Sequence, residues 1–115
     1  MSYQVGFAPS TARTTNGTSN PVALPSNVDT VAFLVNCTAS SGTTPNLAVA
    51  VQWSNDGATW AAADPVDTFT ALTTTGVVVK TFAVKGSQAR LSWTITGTTP
   101  SFTFSADVRW ADHAV

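Results

Sequence analysis

The chain has 115 residues, of which 10% are charged and 43% apolar, and its formal net charge is −1. At this length one domain is expected, since domains usually run about 100 to 150 residues and bury roughly two-thirds of their unfolded surface. Charge is sparse against a usual fraction of about 25%, and Arg13, Lys80, Lys85, Arg90 and Arg109 are scattered, so no basic stripe exists to neutralise a phosphate backbone and nucleic acid is excluded as a partner.

Thr, Ser and Ala take the place of charge, yet four Trp and six Phe recur with β-branched residues at strand period, which disordered chains do not show. No run approaches the roughly 18 apolar residues of a membrane helix, and the start Met-Ser-Tyr-Gln-Val lacks the basic and apolar regions of an export signal. A soluble protein without a membrane partner is therefore expected. Cys37 is the single cysteine and shares its parity with Val31, Phe33 and Val35, so it reads as a small buried hydrophobe.

In chain order, residues 1–28 are the least periodic part. Pro9, Pro21 and Pro25 oppose helix and interrupt ladder hydrogen bonds, so the sequence predicts an extended N-terminal arm with one short strand at 3–7. Tyr3, Val5, Phe7, Val22 and Leu24 are the arm's apolar anchors and its candidate contacts to a partner or neighbouring subunit. A sandwich domain is expected over 29–115, with strands near 30–38, 46–54, 66–72, 76–85, 88–96 and 101–111 separated by turn signals, as in an antiparallel β-sandwich of about seven strands, immunoglobulin-like or jelly-roll-like.

Two copies of Gly-Thr-Thr-Pro, Gly42 to Pro45 and Gly97 to Pro100, each stand between alternating stretches. Val31, Phe33, Val35 and Cys37 precede the first, and Leu47, Val49, Val51 and Trp53 follow it. Leu91, Trp93 and Ile95 precede the second, and Phe102, Phe104, Ala106, Val108 and Trp110 follow it. Side chains alternate between faces along a strand, so the pattern predicts two similar β-hairpins turning at these tetrapeptides, with the same-parity residues inward. Over 76–85 the parity of Val78, Phe82 and Val84 is the expected core face, with Lys80 snorkelling at the margin.

Ser54-Asn55-Asp56-Gly57-Ala58-Thr59-Trp60 supplies residues that tolerate a left-handed backbone and reads as a structural turn through Asp56 and Gly57. It resembles the Asp-box turn of sialidases, a structural element in that family, and a turn found in discoidin-like binding sandwiches. Catalytic candidates are lacking. The only His is His113, close to the terminus of the sequence, where a triad member would be poorly held. Asp64 and Asp67 offer two carboxylates among Ala, Val and Pro, short of the six to eight ligands of a calcium site, and zinc has no ligand set. No catalytic residue, metal or cofactor is expected.

The ordered pattern from Val31 through Gly42-Thr43-Thr44-Pro45 to Gln52-Trp53-Ser54-Asn55-Asp56-Gly57 and Trp60, followed by Ala89-Arg90-Leu91-Ser92-Trp93-Thr94-Ile95-Thr96 and Gly97-Thr98-Thr99-Pro100 to Phe104, resembles small structural proteins of tailed bacteriophages. The resemblance implies a non-enzymatic virion protein, foremost a head decoration protein on the major capsid protein, assembled in the host cytoplasm as a homo-oligomer, with a trimer favoured. A tail component is the second implication. A carbohydrate-binding module, stacking sugars on Trp60 or Trp110, is the expectation from another class.

Overall fold

The computed structural model describes residues 2–26 and 28–110. Among these residues all regular structure is β: β1 (Ser2–Arg13), β2 (Gly17–Thr18), β3 (Val22–Ala23), β4 (Thr30–Ser54), β5 (Ala61–Ala62), β6 (Gly76–Ala83) and β7 (Gln88–Trp110). The antiparallel β-sandwich expected from the alternation is the observed architecture.

Its construction differs from two hairpins in series. β4 and β7 run antiparallel along their whole length, from Val31 opposite Trp110 to Ser54 opposite Gln88. A straight strand of 25 residues would span about 80 Å at roughly 3.3 Å per residue, whereas the molecule is at most 50 Å long. The ribbon is therefore folded over on itself. Trp93 and Phe104 show the result: on a straight strand they would lie about 36 Å apart, yet their rings meet edge to face at 5.2 Å.

The fold falls where the two tetrapeptides cross. Register shifts interrupt the ladder between Cys37 and Ala39, between Ser41 and Thr43 and between Thr43 and Asn46, and Thr43 stands opposite Thr98. Both copies adopt the same conformation, with Gly42 at φ 113° and Thr44 at 46°, and Gly97 at 124° and Thr99 at 46°. A Cβ on Gly42 would lie 2.8 Å from the Thr99 carbonyl oxygen, and one on Gly97 would lie 2.9 Å from that of Thr44. Each tetrapeptide thus requires the other's backbone beside it. Gly42, Pro45, Gly97 and Pro100 are paired strand distortions, not hairpin turns, because a positive-φ glycine serves a bulge as readily as a turn.

On one side of the crossing the order is β1, β7, β4, β6; on the other, β2 and β3 flank β7 while β5 flanks β4. The predicted strand at 66–72 is reduced to single bridges, Ala50 to Thr68 and Leu47 to Leu72, reinforced by Val51 N–H donating to the Asp67 carbonyl at 2.8 Å. The segment expected as an arm runs along β7 instead of projecting from the sandwich. β1 pairs with its C-terminal half with two register shifts, β2 lies against Trp93 and Ser92, and β3 lies against Ala89 and Gln88. Between these strands polar side chains complete the ladder. Asn16 Oδ1 accepts from Ile95 N–H at 2.9 Å and Ser19 Oγ accepts from Leu91 N–H at 2.9 Å.

The core lies between the two halves. Phe33, Val35, Leu47, Val49, Val51, Leu91, Trp93, Ile95, Phe102, Phe104 and Cys37 are all buried, as their parity predicts, and Ala8, Val22 and Leu24 join them. Val22 and Leu24 are 2% and 7% exposed, which corrects their assignment as partner contacts: their side chains fill the core that the exposed strand β7 would otherwise leave open. In β6 the expected parity holds, with Phe82 buried and Val77 and Val79 outward. Arg13 closes the folded edge. Its guanidinium sits 4.2 Å from the Phe104 ring centre and 4.9 Å from that of Trp93, and donates to the carbonyls of Pro9, Thr11 and Phe104.

Two substitutions test this construction by chemical denaturation. Phe104→Ala should cost about 3–5 kcal/mol through lost burial and a cavity; an unchanged midpoint would mean the ring is not inside. Gly97→Ala should cost more than about 1 kcal/mol, because alanine disfavours positive φ and its methyl meets backbone, whereas a neutral result would contradict the close crossing.

Candidate functional site

The turn after β4 is built as its residue types require. Ser54 Oγ accepts from the N–H groups of Asp56 and Gly57, at 3.2 and 2.8 Å, and donates to Asp56 Oδ1 at 3.1 Å. That carboxylate oxygen also accepts from Ala58 and Thr59 N–H, each at 2.8 Å. Gly57 takes φ 76°, the left-handed region that favours glycine. Asn55 Oδ1 accepts from Ser87 N–H at 3.1 Å, so the turn is fastened to the segment entering β7. Donors from the backbone hold the Asp56 carboxyl down at about 2, from an ordinary 3.8. Asp56 and Gly57 are thus engaged in building the turn itself.

Beside this turn lies a groove of about 650 Å³, bordered by Trp53, Asn55, Asp56, Thr59, Asp64 and Lys85. Among the described residues, its one cation is paired with a carboxylate just outside the lining. Lys85 Nζ contacts Asp67 Oδ2 at 2.9 Å, and Trp53 Nε1 donates to the same oxygen at 2.9 Å. Asp67 is thus spent on fastening the 66–72 segment to β4 and to Lys85, while Asp64 precedes Pro65 on the groove wall. No group of three or more His, Cys, Asp or Glu side chains that could hold a metal occurs among the described residues. Asp112 and His113 lie outside them, as do the side chains of Tyr3, Val5 and Phe7.

The tryptophans offer little open ring surface. Trp53 and Trp93 are buried at 5% and 7% exposure, and Trp60 and Trp110 are half-buried. Arg90 covers one face of Trp60 at 4.5 Å from the ring centre, and its Nε is held by Gln52 Oε1 at 2.8 Å. Among the described residues the large apolar side chains that are mostly exposed are aliphatic: Val79 is 61% exposed, Val77 58% and Val66 49%. Val77 and Val79 stand on the outer face of β6, opposite Asn36 and Leu34 of β4. A shallow depression of about 450 Å³ adjoins Val79, with Ala32, Leu34, Asp107 and Arg109 on its walls. The parity of β6 encodes this outward pair, but parity alone does not distinguish a wet face from a contact surface.

No protein-family model matches the sequence, and neither does any curated protein. Solved structures share the fold. Tripeptidyl peptidase 2 aligns with TM-score 0.60 and 10% identity, over 92% of this chain and 9% of that one. A structure of infectious bursal disease virus, Gx strain, aligns with TM-score 0.53 and 10% identity, over 91% of this chain and 29% of that one. The C-terminal family 22 carbohydrate-binding module of Clostridium thermocellum Xyn10B aligns with TM-score 0.52 and 14% identity, over 98% and 96%. The chain thus spans only a small part of the peptidase and under a third of the viral chain. At these identities the likeness is one of β-sandwich architecture.

The Asp56 turn yields a pH test. Its depressed pKa means that the stabilisation is fully present above the unfolded value and is lost as pH falls through the folded one. Asp56→Ala should therefore melt below wild type near neutral pH, with the gap shrinking as pH drops from about 4 towards about 2. A gap independent of pH would show that the carboxylate does not receive these bonds.

Proposed function

We propose that this chain is a non-enzymatic structural protein of a phage virion, foremost a decoration protein that binds the major capsid protein and strengthens the head with added intersubunit contacts. The observation that carries this reading is the aliphatic outer face of β6, with Val77 and Val79 more than half exposed, in a molecule whose aromatic side chains are largely turned inward. Such a face suits a dry contact with another protein more than a sugar, which prefers an open aromatic ring. The low charge content agrees, because few ions must be desolvated when the surface packs into a lattice. The sequence resemblance to phage structural proteins adds the virion.

A second reading, a carbohydrate-binding module, is favoured by one feature, the groove of about 650 Å³ beside the Asp56 turn with Asn55, Thr59, Asp64 and Lys85 on its walls. The architecture it shares with the family 22 module is compatible with that use. Arg90 over Trp60 counts against it, since the cation already occupies one ring face.

Purified protein should co-pellet with capsids lacking it, reach a fixed copy number per capsid, and be displaced by neither xylan nor chitosan oligosaccharides. Binding to isolated tails in place of capsids would move the protein to the tail. Retention by a polysaccharide, with no association to heads or tails, would establish the carbohydrate reading.

A further inference from the structure

Three features of β6 point in one direction. First, among the described residues it pairs with β4 alone, which leaves its other edge open. Val84 N–H donates to the Asp29 carbonyl at 2.9 Å, and the register continues from Ala83 opposite Thr30 to Gly76 opposite Cys37. In an antiparallel ladder hydrogen-bonded and non-bonded pairs alternate, so the even-numbered residues bond to β4. The peptide groups of Val77, Val79 and Thr81 consequently face the open edge.

Second, this edge is unguarded. Proteins usually protect edge strands with charge, proline or a bulge, and β6 is a continuous ladder in which Lys80 is the one charged residue. That charge is turned away. Its Nζ donates to the Thr68 carbonyl at 2.7 Å and lies 5.4 Å from the Phe82 ring centre, on the inner rim of the sandwich.

Third, β6 is complementary to itself. Placing a two-fold axis at Val79 sets Val79 against its own copy and Val77 against Thr81, with reciprocal main-chain hydrogen bonds from all three odd-numbered residues. Lys80 then falls opposite Val78, so no like charges face each other. The exposed valines, 61% and 58% open in the single chain, become neighbours on the outer face of one continuous sheet.

We propose that β6 is a homodimerisation edge, pairing antiparallel with β6 of a second copy about a two-fold axis at Val79. An isologous contact of this kind closes on itself and ends further edge-to-edge growth at that strand. The proposal is independent of the virion reading, since it concerns the free protein in solution.

Sedimentation of the full chain over a concentration series should give twice the chain mass. Val79→Lys places like charges at the axis and should weaken association by about a hundredfold or more, with an unchanged far-ultraviolet spectrum. Val66→Lys, on an exposed valine outside β6, should leave the dimer intact. As a second measure, Val79→Cys should oxidise to a covalent dimer, because paired Cα atoms about 5.5 Å apart fall within disulfide range, whereas Val66→Cys should not; native Cys37 is buried and contributes no background. A monomer at every concentration, a dimer indifferent to Val79→Lys, or equal cross-linking at positions 66 and 79 would each overturn the proposal. So would a monomer that loses capsid binding on Val79→Lys, which would assign the edge to a different protein.

Discussion

An added carbon on Gly42 or Gly97 would lie within 2.8 to 2.9 Å of a carbonyl oxygen on the opposing strand, and the rest of the molecule depends on that proximity. Because both strands of the ribbon kink at the same level, β4 and β7 contribute to each layer of the sandwich without a separate connection between layers. The inward residues on either side of the kink then face one another, as Trp93 and Phe104 do at 5.2 Å. Ordinary L residues resist positive φ, and two glycines and two threonines adopt it here. The strain is tolerable because the layers they bring together bury several large side chains completely, Phe33, Phe102 and Phe104 among them, at roughly 1.5 to 3 kcal/mol apiece.

The other elements complete what this ribbon leaves open. β7 would have an unpaired edge along its length, and residues 2–24 cover it in three pieces, one long and two short. Polar side chains do part of this covering, since Asn16 and Ser19 supply acceptors where backbone partners are missing. Arg13 seals the folded rim with its charge over two rings, an arrangement in which cation–π attraction is strengthened by partial removal from water. At the opposite margin β6 covers β4 and pairs with no further strand among the described residues, which concentrates the accessible aliphatic surface there.

The strand faces were legible because period-two alternation needs no knowledge of the partner. Phe33, Val49, Trp93 and Phe104 are placed by it, and so are the outward valines of β6. The Asp56 turn was equally legible, since Ser54, Asp56 and Gly57 bond within a few residues of one another. The crossing was not. Gly-Thr-Thr-Pro carries turn chemistry, and nothing local says that its left-handed residues answer a second copy far along the chain. Residues 1–28 concealed their role for a related reason: Asn16 and Ser19 look like loop residues until Ile95 and Leu91 present them with N–H donors. Val22 and Leu24 were recognised as apolar anchors, but their partner is this chain's own core.

The central claim, one folded ribbon rather than two hairpins, is tested most directly by backbone nuclear Overhauser effects in the solution protein. The folded ribbon predicts cross-strand contacts of Val35 with Ala106 and of Val49 with Trp93, converging on Thr43 beside Thr98, which is the observed register. Backbone contacts running instead from Ser40 to Leu47 and from Ile95 to Phe102 would mean that each tetrapeptide turns its own hairpin, and would contradict the account.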